Sequence, residues 1–189
     1  EYELSRAQLI GNPTVAQAVD EVLASWQASI ALTLLSPAIA RAESTDLSDR
    51  LRGSDTPVTM VVGAAGAGKS GVLWQSVQEL EAEEHWPILA FRLDRLESMA
   101  STSDLGHQLG LCVSPVTALA AVAAGGPCLL VVDQLDAVSF ASGRLPSGFN
   151  TVVDLIREAA AFPQMRVLLA CRAFDVDNDH RIRQLIADN

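Results

Sequence analysis

Gly63, Gly68, Lys69 and Ser70 satisfy the spacing G-x-x-x-x-G-K-[ST]. Residue types in that pattern suit one chemistry, the binding of a polyphosphate. Glycines let successive backbone N–H groups converge on phosphate oxygens, and a helix starting at the lysine adds the partial positive charge of its N-terminus. The cradle read from the pattern runs through Gly63, Ala64, Ala65, Gly66, Ala67, Gly68, Lys69, Ser70 and Gly71. Lys69 reaches the β- and γ-phosphates, and the Ser70 hydroxyl is a ligand for the accompanying Mg²⁺. The flanks agree. Val58, Met60, Val61 and Val62 enter the loop as a strand, and Val72, Leu73, Val77 and Leu80 leave it at helical spacing. A ligandless turn of small residues would require neither flank.

Three more residues carry chemistry. Leu129-Leu130-Val131-Val132 ends in Asp133, an apolar run closed by a carboxylate at the strand end. Alone, that is a solvated strand terminus; downstream of a phosphate loop it is a second Mg²⁺ ligand. Glutamate often follows this aspartate as the base for water, but here the position holds Gln134, and the nearest acid is Asp136. Two readings of Asp136 stay open: it orients the attacking water, or it caps a turn. Arg172 follows the strand Val167–Cys171. It either contacts the γ-phosphate, so distinguishing ATP from ADP, or pairs on the surface with Asp175 or Asp177. Arg92 and Arg95 flank Asp94 as an ion network or a substrate contact. Asp175 to Asp179 superficially matches a calcium loop, but His180 and Ile186 stand where glycine and glutamate are needed, so Asp179 is read as a helix cap.

The elements that position these residues follow from periodicity. Glu1 to Pro13 reads as irregular. From Pro13, the residues Val15, Val19, Val22, Leu23 and Trp26 recur at helical spacing, and the helix extends through Ile30 and Leu34 towards Pro37. A short helix reaches Leu51, and Gly53 to Pro57 is a turn cluster. Residues 1–53 are therefore expected to form an N-terminal helical extension, and residues 54–189 a nucleotide-binding domain. In the latter, strands at Val58, Ile88–Leu93, Leu129–Val132 and Val167–Cys171 alternate with helical segments. A short helix lies near Asp104, capped by Ser103 or Asp104. Another starts at Pro115 and is closed by Gly125-Gly126. A third runs from Phe149 to Pro163, and an Asp-rich loop precedes the last, from Asp179. Such alternation predicts an α/β fold, a three-layer αβα sandwich on a parallel sheet.

Bulk properties narrow the partners. A net charge of −10 disfavours nucleic-acid backbone as a ligand of this segment. Cys112, Cys128 and Cys171 are widely spaced in apolar surroundings and read as buried small hydrophobes in a reducing compartment. The histidines are scattered, so no metal beyond nucleotide-borne Mg²⁺ is expected. The apolar runs 28–35 and 116–124 are too short to span a bilayer. The expectation is a soluble, cytoplasmic protein without a membrane partner. The chain starts at Glu1 and stops soon after its fourth strand, where a phosphate-loop sheet normally has at least five. The expectation is a domain truncated before its last strand.

With Gly63–Ser70, Asp133-Gln134-Leu135-Asp136 and Cys171-Arg172 in place, the chain resembles a STAND-type P-loop NTPase, the class that includes the NACHT and NB-ARC groups. The phrases Leu-Asp-Arg-Leu at 93–96, Asp-Gln-Leu-Asp-Ala-Val-Ser at 133–139 and Cys-Arg-Ala-Phe-Asp at 171–175 resemble large bacterial members, some of them active in antiphage defence. The resemblance implies an ASCE-type sheet, with the sensor strand between the P-loop and Walker B strands. It implies ATP/ADP exchange as a switch, slow hydrolysis, self-association through this domain, and sensor and effector domains outside this chain. Gln134 is usual in the NACHT-like group. Leu4-Ser5-Arg6 resembles the segment on the adenine side.

Two other function classes compete. A non-hydrolysing nucleotide-binding assembly module would tolerate Gln134. A P-loop kinase for a small molecule would require a second pocket and a basic lid, and no arginine-rich lid is visible. A guanine-reading N-K-x-D motif is missing from the sequence. Lys69→Ala is expected to abolish nucleotide binding, measured by calorimetric titration with ATP; unchanged affinity would remove the phosphate-loop reading.

Overall fold

The computed structural model describes residues 6–32, 41–53 and 56–188. Alternation in the sequence becomes a four-stranded parallel sheet of β1 (Val58–Gly63), β2 (Ile88–Arg92), β3 (Cys128–Asp133) and β4 (Met165–Arg172), in the order β1-β4-β3-β2. The sensor strand β4 thus lies between the strands carrying the phosphate loop and Asp133, as the resemblance implied. β3 is buried at every position. A strand with helices on both faces has no polar side to show, which is why it reads as a continuous apolar run.

Successive residues of β3 serve opposite cores. Cys128, Leu130 and Val132 join the core under α6 (Pro115–Ala123) and α7 (Phe149–Ala159). Leu129 and Val131 join the core under α3 (Ala42–Gly53) and α4 (Lys69–Glu79). The result is the three-layer αβα arrangement. α2 (Pro13–Ala31) supplies both layers: Val15, Val19 and Val22 enter the first core, and Leu23, Trp26 and Ile30 the second. A helix that feeds both faces runs along the sheet edge, and here it packs on β2. That covers one edge strand, the usual protection against intermolecular pairing. β1, at the other end, remains partly exposed along its length.

Several local expectations change. Within the N-terminal segment read as irregular, Arg6–Leu9 forms a helical turn, α1. α2 stops at Ala31 with Leu32 as its cap, and the expected continuation to Leu34 and Pro37 lies outside the described residues, as do Leu4 and Ser5. α5 (Thr102–Gln108) is capped by Ser101, whose hydroxyl accepts from the Asp104 N–H; neither Ser103 nor Asp104 is the cap. α6 is closed by Ala124 in the left-handed region, one residue before the expected glycines. Cys128 and Cys171 are buried and burial pushes both thiols up to about 12, but Cys112 is exposed, because it lies in the bend between α5 and α6. No helix among the described residues is long and apolar enough to cross a membrane.

The Asp-rich stretch after β4 is not a loop. It folds as α8 (Ala173–Asn178), with Asp175 buried in its first turn and accepting the Ser142 hydroxyl at 2.5 Å. Asp179 caps α9 (His180–Ala187), as its spacing suggested. Its carboxylate also receives the Phe140 N–H at 2.7 Å and Arg181 Nη2 at 2.8 Å. Arg181 continues to the carbonyls of Val138 and Pro146 and covers the Phe140 ring at 3.3 Å. One buried carboxylate therefore ties the loop after β3 to the start of α9.

Hydrogen bonding from Arg181 and from two backbone N–H groups outweighs burial and lowers the Asp179 carboxyl to about 2. The stabilisation it gives is complete above the unfolded value of 3.8 and disappears as pH falls through about 2. Asp179→Asn is expected to lose on the order of 2 kcal/mol at pH 7. Urea titrations repeated from pH 5 downwards should show that deficit shrinking.

Candidate phosphate-binding site

Parallel strands deliver their C-terminal ends to one edge, and register fixes who meets whom. Gly63, the last residue of β1, pairs with Arg172 of β4, while Asp133 of β3 pairs with Arg92 of β2. Phosphate loop, Arg172 and the strand-end carboxylate are thus brought together by the sheet. Beyond Gly63 the chain crosses Ala64 to Gly68 and enters α4 at Lys69.

Gly68 caps α4 with φ 83° and contributes no side-chain hydrogen bond. The first-turn N–H groups of a helix lack intrahelical acceptors, so an anion is their natural partner here. The Lys69 ammonium bends back over the loop and donates to the carbonyls of Gly63 at 2.9 Å and Ala64 at 3.0 Å. Ala65, Gly66, Gly68, Lys69, Ser70 and Gly71 form one wall of a cavity of about 300 Å³, and Gln134 and Arg172 complete it. A separate cleft of about 290 Å³ opens between α2 and the end of β2, lined by Trp26, Arg92 and Arg95 among others and away from the loop.

Asp133 and Asp136 lie behind this cavity and do not line it. Asp133 is 1% exposed, and burial raises its pKa against the opposing influence of the Gln134 N–H and Arg92. One oxygen accepts the Gln134 N–H at 2.8 Å; Oδ2 is dry and lacks a hydrogen-bond partner among the described residues. Gln134 adopts φ 60°, ψ 48°, a left-handed conformation uncommon for a residue with a side chain. That sharp turn starts the 3₁₀ segment Leu135–Val138 and brings Asp136 back beneath the strand ends.

There Asp136 meets Arg172, with Nε 3.1 Å from Oδ2. Neither anticipated partner of the arginine, Asp175 or Asp177, forms that ion pair; Asp175 is occupied by Ser142. Burial raises the Asp136 pKa while Arg172 opposes the rise, and Oδ1 has no partner among the described residues. Arg92 pairs with Asp94 through two bonds of 2.9 and 2.8 Å, and Arg95, on the other side of Asp94, does not join that ion pair. Burial disfavours the Asp94 anion, but the bonds to Arg92 prevail and hold its carboxyl below the usual range.

One neighbour of the loop was not foreseen. The Arg41 guanidinium lies directly over Gly68: a Cβ at Gly68 would stand 2.5 Å from its Nη2. Arg41 is anchored through its N–H to Gln75 of α4 at 3.2 Å and through its carbonyl, which accepts the Ser44 hydroxyl at 2.6 Å. The signal in the sequence was a lone arginine before a polar helix, too common to single out.

The donor set fits a hard divalent cation. Ser70, the second residue of α4, lines the cavity, and Asp133 behind it has an unpartnered carboxylate oxygen. A family model described as Novel STAND NTPase 1 matches residues 40–187. No curated protein matches the chain. The match covers α3 onwards and leaves α2 outside.

Arg172 is half-exposed but its partner Asp136 is buried, so removing the arginine strands a buried carboxylate. Arg172→Ala is expected to destabilise the ligand-free protein by about 1–3 kcal/mol. In an Asp136→Asn background the same change should cost under about 1 kcal/mol. A double-mutant cycle by urea denaturation measures the difference.

Proposed function

Because the chain belongs to the novel STAND NTPase 1 family, we propose that it is the ATP-binding, slowly hydrolysing switch domain of a signal-transduction protein. The loop amides and Lys69 bind the β- and γ-phosphates, and Arg41 above Gly68 adds positive charge beside them. Ser70 and Asp133 are the residues that would hold Mg²⁺, which when bound neutralises charge on the phosphates. Arg172, half-exposed in the cavity wall, contacts the γ-phosphate. Asp136 orients the attacking water and receives its proton.

The observation that carries this reading is the Asp136–Arg172 ion pair behind the phosphate cavity. Arg172 belongs at once to the cavity wall and to the acid. A terminal phosphate that draws the guanidinium forward loosens its hold on Asp136, so the acid becomes available when ATP rather than ADP is present. Hydrolysis then removes the phosphate and restores the pair. Turnover coupled to such an exchange resets a switch. Its output, by self-association and through sensor and effector domains, lies beyond the residues described here, and antiviral defence is one setting in which such switches serve.

A competing reading, nucleotide binding without hydrolysis, draws support from the engagement of Asp136 by Arg172. Asp136→Asn separates the two. In the full-length protein this change is expected to leave MgATP affinity within about twofold and to lower ATP turnover at least a hundredfold, of the order a lost general base produces. Calorimetric titration and a phosphate-release assay read the two quantities, and normal turnover would take the role of base away from Asp136.

A further inference from the structure

α2 lies ahead of residues 40–187, yet it sends Trp26 to the strand end that carries Asp133. Trp26 is 3% exposed and packs in the core beneath α3 and α4, on the face to which Val131 points and to which Asp133, two residues on, points as well. The indole N–H faces the Asp133 carboxylate closely enough to favour its charged form. It does not close a hydrogen bond, however: Trp26 Nε1 and Asp133 Oδ2 are both dry and both without a partner among the described residues. A donor and an acceptor buried side by side and unpaired are an unstable arrangement, for each has given up water and gained nothing. A phenylalanine would fill the same core position without that penalty.

We propose that Trp26 is a positioning residue for Asp133: its indole N–H fixes the carboxylate in the orientation that holds the cation of a bound Mg-nucleotide. The proposal rests on the reading of Asp133 as a Mg²⁺ ligand. Outer-shell donors of this kind orient a ligand carboxylate, and their loss typically lowers metal affinity ten- to a hundredfold. The consequence is a link between parts of the chain. A helix outside the family-matched region senses whether the metal site is filled, and any force that moves α2 acts on that site.

ADP is the probe, titrated calorimetrically in excess Mg²⁺ and again in EDTA. Wild-type protein is expected to bind ADP more tightly with Mg²⁺. Trp26→Phe, which keeps the ring and its burial, should lower that Mg²⁺ enhancement about tenfold and leave the affinity in EDTA unchanged. Asp133→Ala should abolish the enhancement, and adding Trp26→Phe to it should change nothing further. An enhancement that survives Asp133→Ala, or is missing from the wild type, overturns the metal reading itself. Loss in Asp133→Ala with a wild-type enhancement in Trp26→Phe overturns the role of Trp26 alone. A second measurement covers a Trp26→Phe protein that fails to fold. Trp74→Phe/Trp86→Phe leaves Trp26 as the sole tryptophan. Its emission should shift when Mg²⁺ is added to the ADP complex, and emission indifferent to Mg²⁺ would overturn the proposal.

Discussion

The left-handed backbone at Gln134 is the constraint on which the candidate site depends. A strand that continued straight past Asp133 would carry Gln134 and Asp136 into solvent above the sheet. Reversal at φ 60° does three things at once. It places the Gln134 N–H on the Asp133 carboxylate, sets Gln134 in the wall of the phosphate cavity, and returns Asp136 to Arg172. A side chain in this region costs about 1–2 kcal/mol relative to ordinary backbone. The two hydrogen bonds closing the turn, from Gln134 N–H to Asp133 and from Ala137 N–H to the Gln134 carbonyl, hold it there.

Such a turn needs a rigid base, and the sheet supplies it. β3 and β4 are interior strands, sealed by helices on both faces, so their ends have little freedom. The loop that follows Asp136 is then fastened to the helices after β4 by the carboxylates of Asp175 and Asp179. Arg144 extends the fastening to the carbonyls of Asp94 and Leu96 beyond β2. The strand ends and the segments that leave them therefore form one connected polar layer above an apolar core. Arg172 touches Asp136 directly, and Asp136 is part of the turn that this layer holds.

Much of this was legible in the sequence because it rests on local rules. The phosphate loop is a spacing, the strands are apolar runs, and the helices have their periodicity. The position of β4 between β1 and β3 came with the resemblance and was not derivable from any single segment. What stayed hidden was pairing across the fold. Arg172 had two acids close by in sequence, yet it chose Asp136, because the reversal at Gln134 brings that acid near and α8 turns Asp175 towards Ser142. Ala124 took the left-handed position expected of Gly125, since helix ends are set by packing within a residue or two of the best local signal. Trp26 and Arg41 gave no functional signal at all. Each sits in a segment that reads as an ordinary helix or its approach, and only the packing of α2 and α3 brings them to Asp133 and Gly68.

The charge distribution completes the physical argument. A chain of net charge −10 repels polyanions at long range, so affinity for a polyphosphate must be generated at short range. The site does this by gathering Lys69, Arg172 and Arg41 around a helix N-terminus, and by holding its acids behind the cavity wall. Two of these cations are already engaged by the protein, Lys69 by carbonyls and Arg172 by Asp136. In the proposed reading, binding would exchange these protein partners of Lys69 and Arg172 for phosphate oxygens. The contact Arg172 would surrender is a buried carboxylate, and a carboxylate left uncompensated in that position has two remedies, taking up a proton or moving towards another donor. Under the proposed function, recognition of an anion at the surface would in this way be converted into a change at a buried acid, which is the step a nucleotide switch requires.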